Sequence, residues 1–250
     1  MIRGLYASAM GMLALMNKQD VISNNLANIN TTGFKKDYIS ITSFPEALVY
    51  AQERRGDANY TQKSVGLLSS GVGIGGTGFI ISNGALRQTG GTFDLALTGE
   101  GFFTVLTPSG ERYTRDGSFT KDGFDRLVDQ EGNLVLGENG AITITGSEVH
   151  VDEVGRVYVD GAYTDTLKIR NFSKGELEKV GSNTFKAFAS GQRPTGFVIR
   201  QGYLEGSNVN ATDEMVDMIA TIRSYEANQR VLKAQDELLG RAVNEVGRVG

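Results

Sequence analysis

The hydrophobic pattern of this chain is helical at both ends and strand-like between them. From Ile2 to Asn28 there is no proline, and Ile2, Leu5, Ala9, Met12, Met16 and Leu26 follow a seven-residue seam interrupted by Gln19 and Ser23. Towards the other end Met218, Tyr225, Leu232, Leu239 and Val246 recur every seven residues, flanked by Met215, Ile222 and Val243. At ~1.5 Å rise per residue these stretches make rods of roughly 40 and 50 Å. Their opposite faces carry Asn17, Lys18 and Asp20, and Arg223, Glu226, Lys233 and Glu237. An amphipathic helix has to bury its stripe, so the two ends are expected to pair with each other, with neighbouring subunits, or with both. An intramolecular helical hairpin capping a β domain is the plainer alternative. A membrane-surface helix is disfavoured, because neither polar face is dominated by Lys and Arg.

Between the ends the period changes to that of strands. The segments 78–82, 93–98, 101–106, 127–128, 141–145, 156–159 and 167–170 are short, rich in β-branched or aromatic residues, and bounded by Gly, Asp, Asn or Ser. Turn signals at Ser109-Gly110, Asp116-Gly117, Asp122-Gly123, Gly132-Asn133, Asn139-Gly140 and Asp160-Gly161 favour a meander or small barrel over a parallel sheet. Residues 35–77 are less regular and read as a connecting region, partly extended. The expected fold class is α+β: paired N- and C-terminal helices, coiled-coil-like, enclosing an all-β, glycine-turn-rich middle.

Composition agrees with a structural role. Glycine makes up 33 of 250 residues against three prolines, which suits many turns between short strands. The net charge of −4 is spread without blocks and leaves no nucleic-acid footprint. Cysteine is absent, so no disulfide framework is expected. Met1-Ile2-Arg3 followed by Leu5–Leu15 superficially resembles a secretory signal. Ser8 and Gly11 break its apolar run, no small-residue cleavage site follows, and the amphipathic period continues past Asp20. No run approaches the roughly 18 apolar residues a membrane span needs. Export, if it occurs, then requires a route without signal cleavage.

Candidate chemistry is thin. Gly71–Gly76 and Gly73–Gly78 both satisfy G-x-G-x-x-G, but Phe79-Ile80-Ile81 reads as strand, and without a helix N-terminus there is no dipole to hold a pyrophosphate. No Walker lysine follows a glycine loop. Asp122, Asp125 and Asp129 lack the alternating ligands and terminal glutamate of a calcium loop, so turn-forming acids account for them better. His150 is the only histidine and no serine sits in a nucleophile elbow, which removes the Ser/His/Asp and Cys/His arrangements. No catalytic residue, cofactor or metal ligand is expected.

The segment from Ser23 to Phe34 is locally odd. Asn24, Asn25, Asn28 and Asn30 crowd the end of an otherwise good helix, although asparagine competes for backbone hydrogen bonds and is a poor helix former. One reading is a helix C-terminus in which the asparagines and Gly33 permit a left-handed exit. The other is that these amides tie the helix to neighbouring backbone, at an exit whose angle Phe34 anchors.

Ser23-Asn-Asn-Leu-Ala-Asn28 followed by Thr32-Gly-Phe-Lys35 closely resembles the N-terminal signature of the bacterial flagellar rod and hook family. Three further stretches agree in order: Phe93–Phe103, Tyr113–Phe119, and Arg200–Asn210 running into Met215, Met218 and Arg223–Asn228. Met1-Ile2-Arg3 and Arg200–Asn210 favour a distal position in the rod, the chain length is nearer proximal members, and the hook is disfavoured because hook subunits usually carry a larger middle. The resemblance implies a non-enzymatic structural subunit that stacks helically into a hollow drive shaft crossing the periplasm. It further implies export through the flagellar type III apparatus and partners among self, other rod subunits, the hook and other basal-body proteins, with neither nucleic acid nor a membrane span. It assigns 1–34 and 208–250 to a terminal helical domain, 35–77 and 190–207 to a connecting region, and 78–189 to an outer β domain. On this reading Leu5, Met12, Met16, Asn24, Asn25, Leu26, Asn28, Phe34, Met218, Tyr225, Leu232, Leu239 and Val246 form the assembly interface. A glycan-binding β module with a helical clamp is the competing class.

Overall fold

A computed structural model of the chain describes residues 2–45, 47–55, 59–68, 71–173 and 175–246. Two long helices bracket a set of antiparallel strands: α1 is Ile2–Ala27 and α2 is Ala211–Val246. The chain divides into two compact units. One comprises residues 1–24, 37–78 and 212–250, and the other 25–36 and 79–211.

In the first unit the helices approach along a line of small residues. A Cβ added at Gly4 would stand 2.5 Å from Nε2 of Gln235, and one added at Gly11 would stand 3.4 Å from Nδ2 of Asn228. Seven residues forward on α1 match seven residues back on α2, so the two run antiparallel. Asp213 and Glu214 in the first turn of α2 suit its positive dipole end. The same unit holds four strands, β1 (Asp37–Ser43), β2 (Ala47–Arg55), β3 (Asn59–Leu68) and β4 (Val72–Phe79), in two ribbons, β1 with β4 and β2 with β3. The glycine run that mimics a nucleotide loop is β4 itself. Its glycines let the β1 side lie close: Phe44 covers Gly73, Thr42 covers Gly75 and Tyr38 covers Gly78.

The second unit is β throughout its core. The main sheet runs 177–179, 184–187, 110–114, 102–107, 134–135, 127–128 and 120–121, with 169–170 also paired to 102–107. A three-stranded sheet of 149–151, 156–159 and 162–166 and the ladders 197–201 on 95–99 and 203–205 on 86–88 complete it. The strand pairings of this unit are antiparallel among the described residues. One apolar core gathers Leu97, Phe103, Val105, Val135, Ile144, Val157 and Ile169, and a second joins Phe102, Tyr113, Phe172, Leu177 and Phe185.

Two expected strands come out differently. The strand expected over 78–82 ends at Phe79, because the carbonyls of Ile80 and Ser82 accept from Nδ2 of Asn208 at 2.8 and 3.1 Å instead of from a neighbouring strand. Residues 141–145 form only isolated bridges, Ala141 with Leu136 and Thr143 with Arg126.

Candidate assembly site

The exit from α1 is a main-chain turn, to which Asn28 adds a side-chain bond by accepting from Thr31 Oγ1 at 3.1 Å. The carbonyls of Asn25, Leu26 and Asn28 accept from the N–H groups of Asn28, Ile29 and Thr31, tightening the helix end into a turn. Gly33 then takes a left-handed φ of 66°, and a side chain there would collide with the backbone of Arg115 and Asp116. This close approach brings the signature Thr32–Lys35 onto the β unit.

At that point the four stretches singled out in the sequence converge. Thr32 donates to Asp116 Oδ1 at 2.7 Å, and Asp116 also takes Ser118 Oγ at 2.7 Å and Asn183 Nδ2 at 3.0 Å. The ammonium of Lys35 bonds Glu205 Oε1 at 2.7 Å and the Ser82 carbonyl at 2.9 Å. Arg115 reaches Glu205 Oε2 at 3.3 Å and donates to the carbonyls of Leu97 and Gly99 at 2.9 and 2.6 Å. Glu205 further accepts from Gly84 N at 2.8 Å through its carboxylate and from Gly33 N at 2.8 Å through its carbonyl. Asn208 accepts from Lys36 N at 2.7 Å. Lys35, Arg115 and Glu205 are each 0–1% exposed.

Two buried cations thus share one carboxylate, and the carbonyls of Ser82, Leu97 and Gly99 take further donors, while Arg115 Nε is buried with no hydrogen-bond partner among the described residues. Burial pushes the Lys35 ammonium below its ordinary value, against the pull of Glu205. The Arg115 guanidinium is lowered for the same reason, again opposed by Glu205. Phe34 is fully buried beside the pair, with Lys179 Nζ 3.8 Å over its ring and bonded to the Lys35 carbonyl at 3.0 Å. The arrangement fixes backbone segments to one another.

The expected interface residues are placed as follows. Asn25 and Phe34 are buried, while Leu5, Met12, Leu26 and Asn28 are half-buried. Met16 is 48% exposed, and Asn24 is exposed. On α2, Met218, Tyr225, Leu232 and Leu239 are half-buried and Val246 closes the helix. Along 214–244 the covered positions are 214, 218, 221, 225, 228, 232, 235, 239 and 242, a strict alternation of four- and three-residue steps. Outside that line both helices expose large apolar side chains: Tyr6, Leu13 and Met16 on α1, and Met215, Val216, Ile219, Ile222, Val231, Leu238 and Val243 on α2.

Other candidate chemistry is accounted for locally. Asp122 accepts from the N–H groups of Phe124 and Arg126, Asp129 from those of Glu131 and Asn133, and Asp152 from those of Val154 and Arg156. Each carboxylate therefore closes a turn. His150 is exposed on its strand opposite Tyr158. Among the described residues no group of three or more His, Cys, Asp or Glu is placed to hold a metal ion, and no helix is long and apolar enough to cross a membrane. An open cleft of about 770 Å³ in the β unit is lined by Glu100, Asn171, Glu176 and Arg193, but Glu100 already accepts from Asn171 at 2.6 Å and Glu176 from Ser173 N at 2.8 Å.

Lys35, Arg115 and Glu205 are the residues that the sequence did not single out. Glu205 carries a signal, a lone charge between Leu204 and Gly206, whereas Lys35 is followed by Lys36 and Asp37 and Arg115 by Asp116, as in any solvated charge cluster.

Comparison with known proteins follows the same three regions. Family models match at residues 5–35 (flagella basal body rod protein), 96–159 (flagellar hook protein FlgE/F/G D1 domain) and 200–245 (flagellar basal body rod FlgEFG protein C-terminal). The chain is 33% identical to the flagellar basal-body rod protein FlgG of Bacillus subtilis, covering 98% of this chain and 99% of that one. It is 35% identical to the FlgG of Borreliella burgdorferi, over 98% of each chain. It is 28% identical to the flagellar hook-basal body complex protein FlhO of Bacillus subtilis, over the full length of both.

Proposed function

The chain belongs to the flagellar basal-body rod family, and from that membership we propose that it polymerises through α1 and α2 into a helical shaft in which the helices pack against those of neighbouring copies. It is a structural subunit of the basal-body rod, similar to the distal rod proteins, and not an enzyme. The glycan-binding alternative finds no support in these relatives. In the proposed shaft α1 and α2 pair as an antiparallel, coiled-coil-like layer. Residues 1–34 and 208–250 form the helical domain, 35–77 and 190–207 the connection, and 78–189 the outer domain. The other rod subunits and the hook are its neighbours, and the flagellar type III apparatus exports it.

One observation carries this reading. Ten large apolar side chains stand 37–71% exposed on two helices of one subunit, far more than a chain working alone leaves in water. A heterologous contact that does not close generates a filament, and helices with stripes on both the covered and the open side supply such a contact. Leu238, 56% exposed, tests it. Leu238→Asp should abolish sedimentable polymer and rod incorporation while shifting subunit stability by no more than about 0.5 kcal/mol, the usual range for a surface change. Wild-type polymerisation by this variant would overturn the proposal.

A further inference from the structure

From Glu214 to Leu239 every second covered position on α2 is polar. Met218, Tyr225, Leu232 and Leu239 alternate with Thr221, Asn228 and Gln235, and these three polar residues are themselves spaced by seven. The facing residues on α1 are known at two levels: Gly4 lies against Gln235, and Gly11 against Asn228. At Gly4 the Gln235 amide occupies the space that a Cβ would take, and at Gly11 the Asn228 amide would stand in ordinary contact with one, at 3.4 Å. In an antiparallel pair this matching holds at only one register, which also sets Lys18 opposite Thr221. Thr221 is 2% exposed, and its hydroxyl is turned back to the Asp217 carbonyl at 2.7 Å. Oε1 of Gln235 is buried with no hydrogen-bond partner, so that amide is not there for the strength of its bonds.

We propose that Asn228 and Gln235 are specificity-determining residues for helix pairing: with Gly11 and Gly4 they make α2 take its own α1 in one register, leaving the exposed apolar lines to other copies. This rests on the polymerisation reading above. The physical reason is that an apolar seam alone tolerates slippage by a heptad and exchange of partners. A polar residue at a covered position removes those alternatives at some expense of stability, because a one-heptad slip keeps only one amide against a glycine and either sets Asn228 against Lys18 or carries Gln235 past the start of α1. The glycines act as the complementary half. A leucine at position 4 or 11 would fill the seam better and destroy the lock.

The test uses the full chain, which has no cysteine of its own. Lys18→Cys with Thr221→Cys reports the register, since a disulfide forms only when the two Cα atoms come within about 7 Å and a one-heptad slip moves them by roughly 10 Å. In the wild-type seam the intramolecular disulfide should form almost completely. Adding Asn228→Leu and Gln235→Leu should preserve helix content by circular dichroism. The intramolecular yield should fall severalfold, and disulfide-linked dimers should rise. A second set removes the question of folding: Gly4→Ala should displace Gln235 and lower the yield, and Gly4→Ala with Gln235→Ala should restore it. Unchanged yields in both sets would overturn the inference. If the Lys18→Cys/Thr221→Cys chain forms the disulfide and the wild-type chain never polymerises, the polymerisation reading fails and the register result stands.

Discussion

Replacing Glu205 by glutamine removes one charge and almost no volume from the junction, and its effect can be worked from the bonds around it. The carboxylate accepts Lys35 at 2.7 Å and Gly84 N at 2.8 Å on one oxygen, and Arg115 at 3.3 Å on the other. Glutamine keeps an oxygen for the first two but sets an N–H group against the Arg115 donor, and it leaves two buried cations without a counter-charge. Breaking a buried pair from one side costs about 3–5 kcal/mol. Because two of the three bonds survive, about 3 kcal/mol is expected here, a large share of the 5–15 kcal/mol typical of a domain. At roughly 2–4 °C per kcal/mol for a chain of this size, the melting temperature should fall by about 6–12 °C. The assay is thermal and urea unfolding followed by circular dichroism and tyrosine fluorescence, the chain having nine tyrosines and no tryptophan. Lys35→Met alone should cost a similar amount, and the double variant less than the sum of the two, because the pair is coupled. A melting shift under about 2 °C for Glu205→Gln would refute the argument that these charges depend on one another.

Two other outcomes follow from the same region. Gly33→Ala meets both a left-handed φ and a backbone collision, and should destabilise by about 2–4 kcal/mol in urea unfolding, whereas Gly123→Ala, with open space around it, should be near neutral. The lowered Lys35 value sets the sign of an alkaline effect. Between its folded value and the ordinary 10.5 the unfolded chain holds the proton that the folded one has released, so this group's contribution to stability rises with pH up to about 10.5 and that slope should vanish in Lys35→Met.

Both helices were legible because their signal is local: a period near 3.5 over more than twenty residues, without proline, reads the same in water as in the fold. Strands such as 102–107 and 156–159 were legible from runs like Phe-Phe-Thr-Val-Leu. Those at 184–187 and 197–201 were not expected, although exposed Lys186 beside buried Phe185 and exposed Arg200 beside buried Ile199 follow the alternation of a half-buried strand. The junction was harder still. Lys35 and Glu205 lie 170 residues apart, and charged side chains are expected outside, so nothing within either segment tells of the other. Asn24 and Asn25 show the same boundary, one exposed and the next buried, a distinction that tertiary contact alone makes. The polar line of α2 is hidden in the sequence because Thr221, Asn228 and Gln235 read equally well as part of a solvated face, and only burial sets them apart.

The bonds from Gly33 and Lys35 to Glu205, and from Lys36 to Asn208, bind the first segment of the β unit, residues 25–36, to the last stretch before the chain leaves it at 211. They act as a mechanical short circuit. A pull between residues 25 and 211 is borne by a few cross-ties of 2.7–2.8 Å and does not run through the strands of residues 79–204. Those strands can then change in length, sequence or loop content without altering the stiffness felt between the ends of the unit, and a lesion at position 205 softens that link even where every strand stays folded.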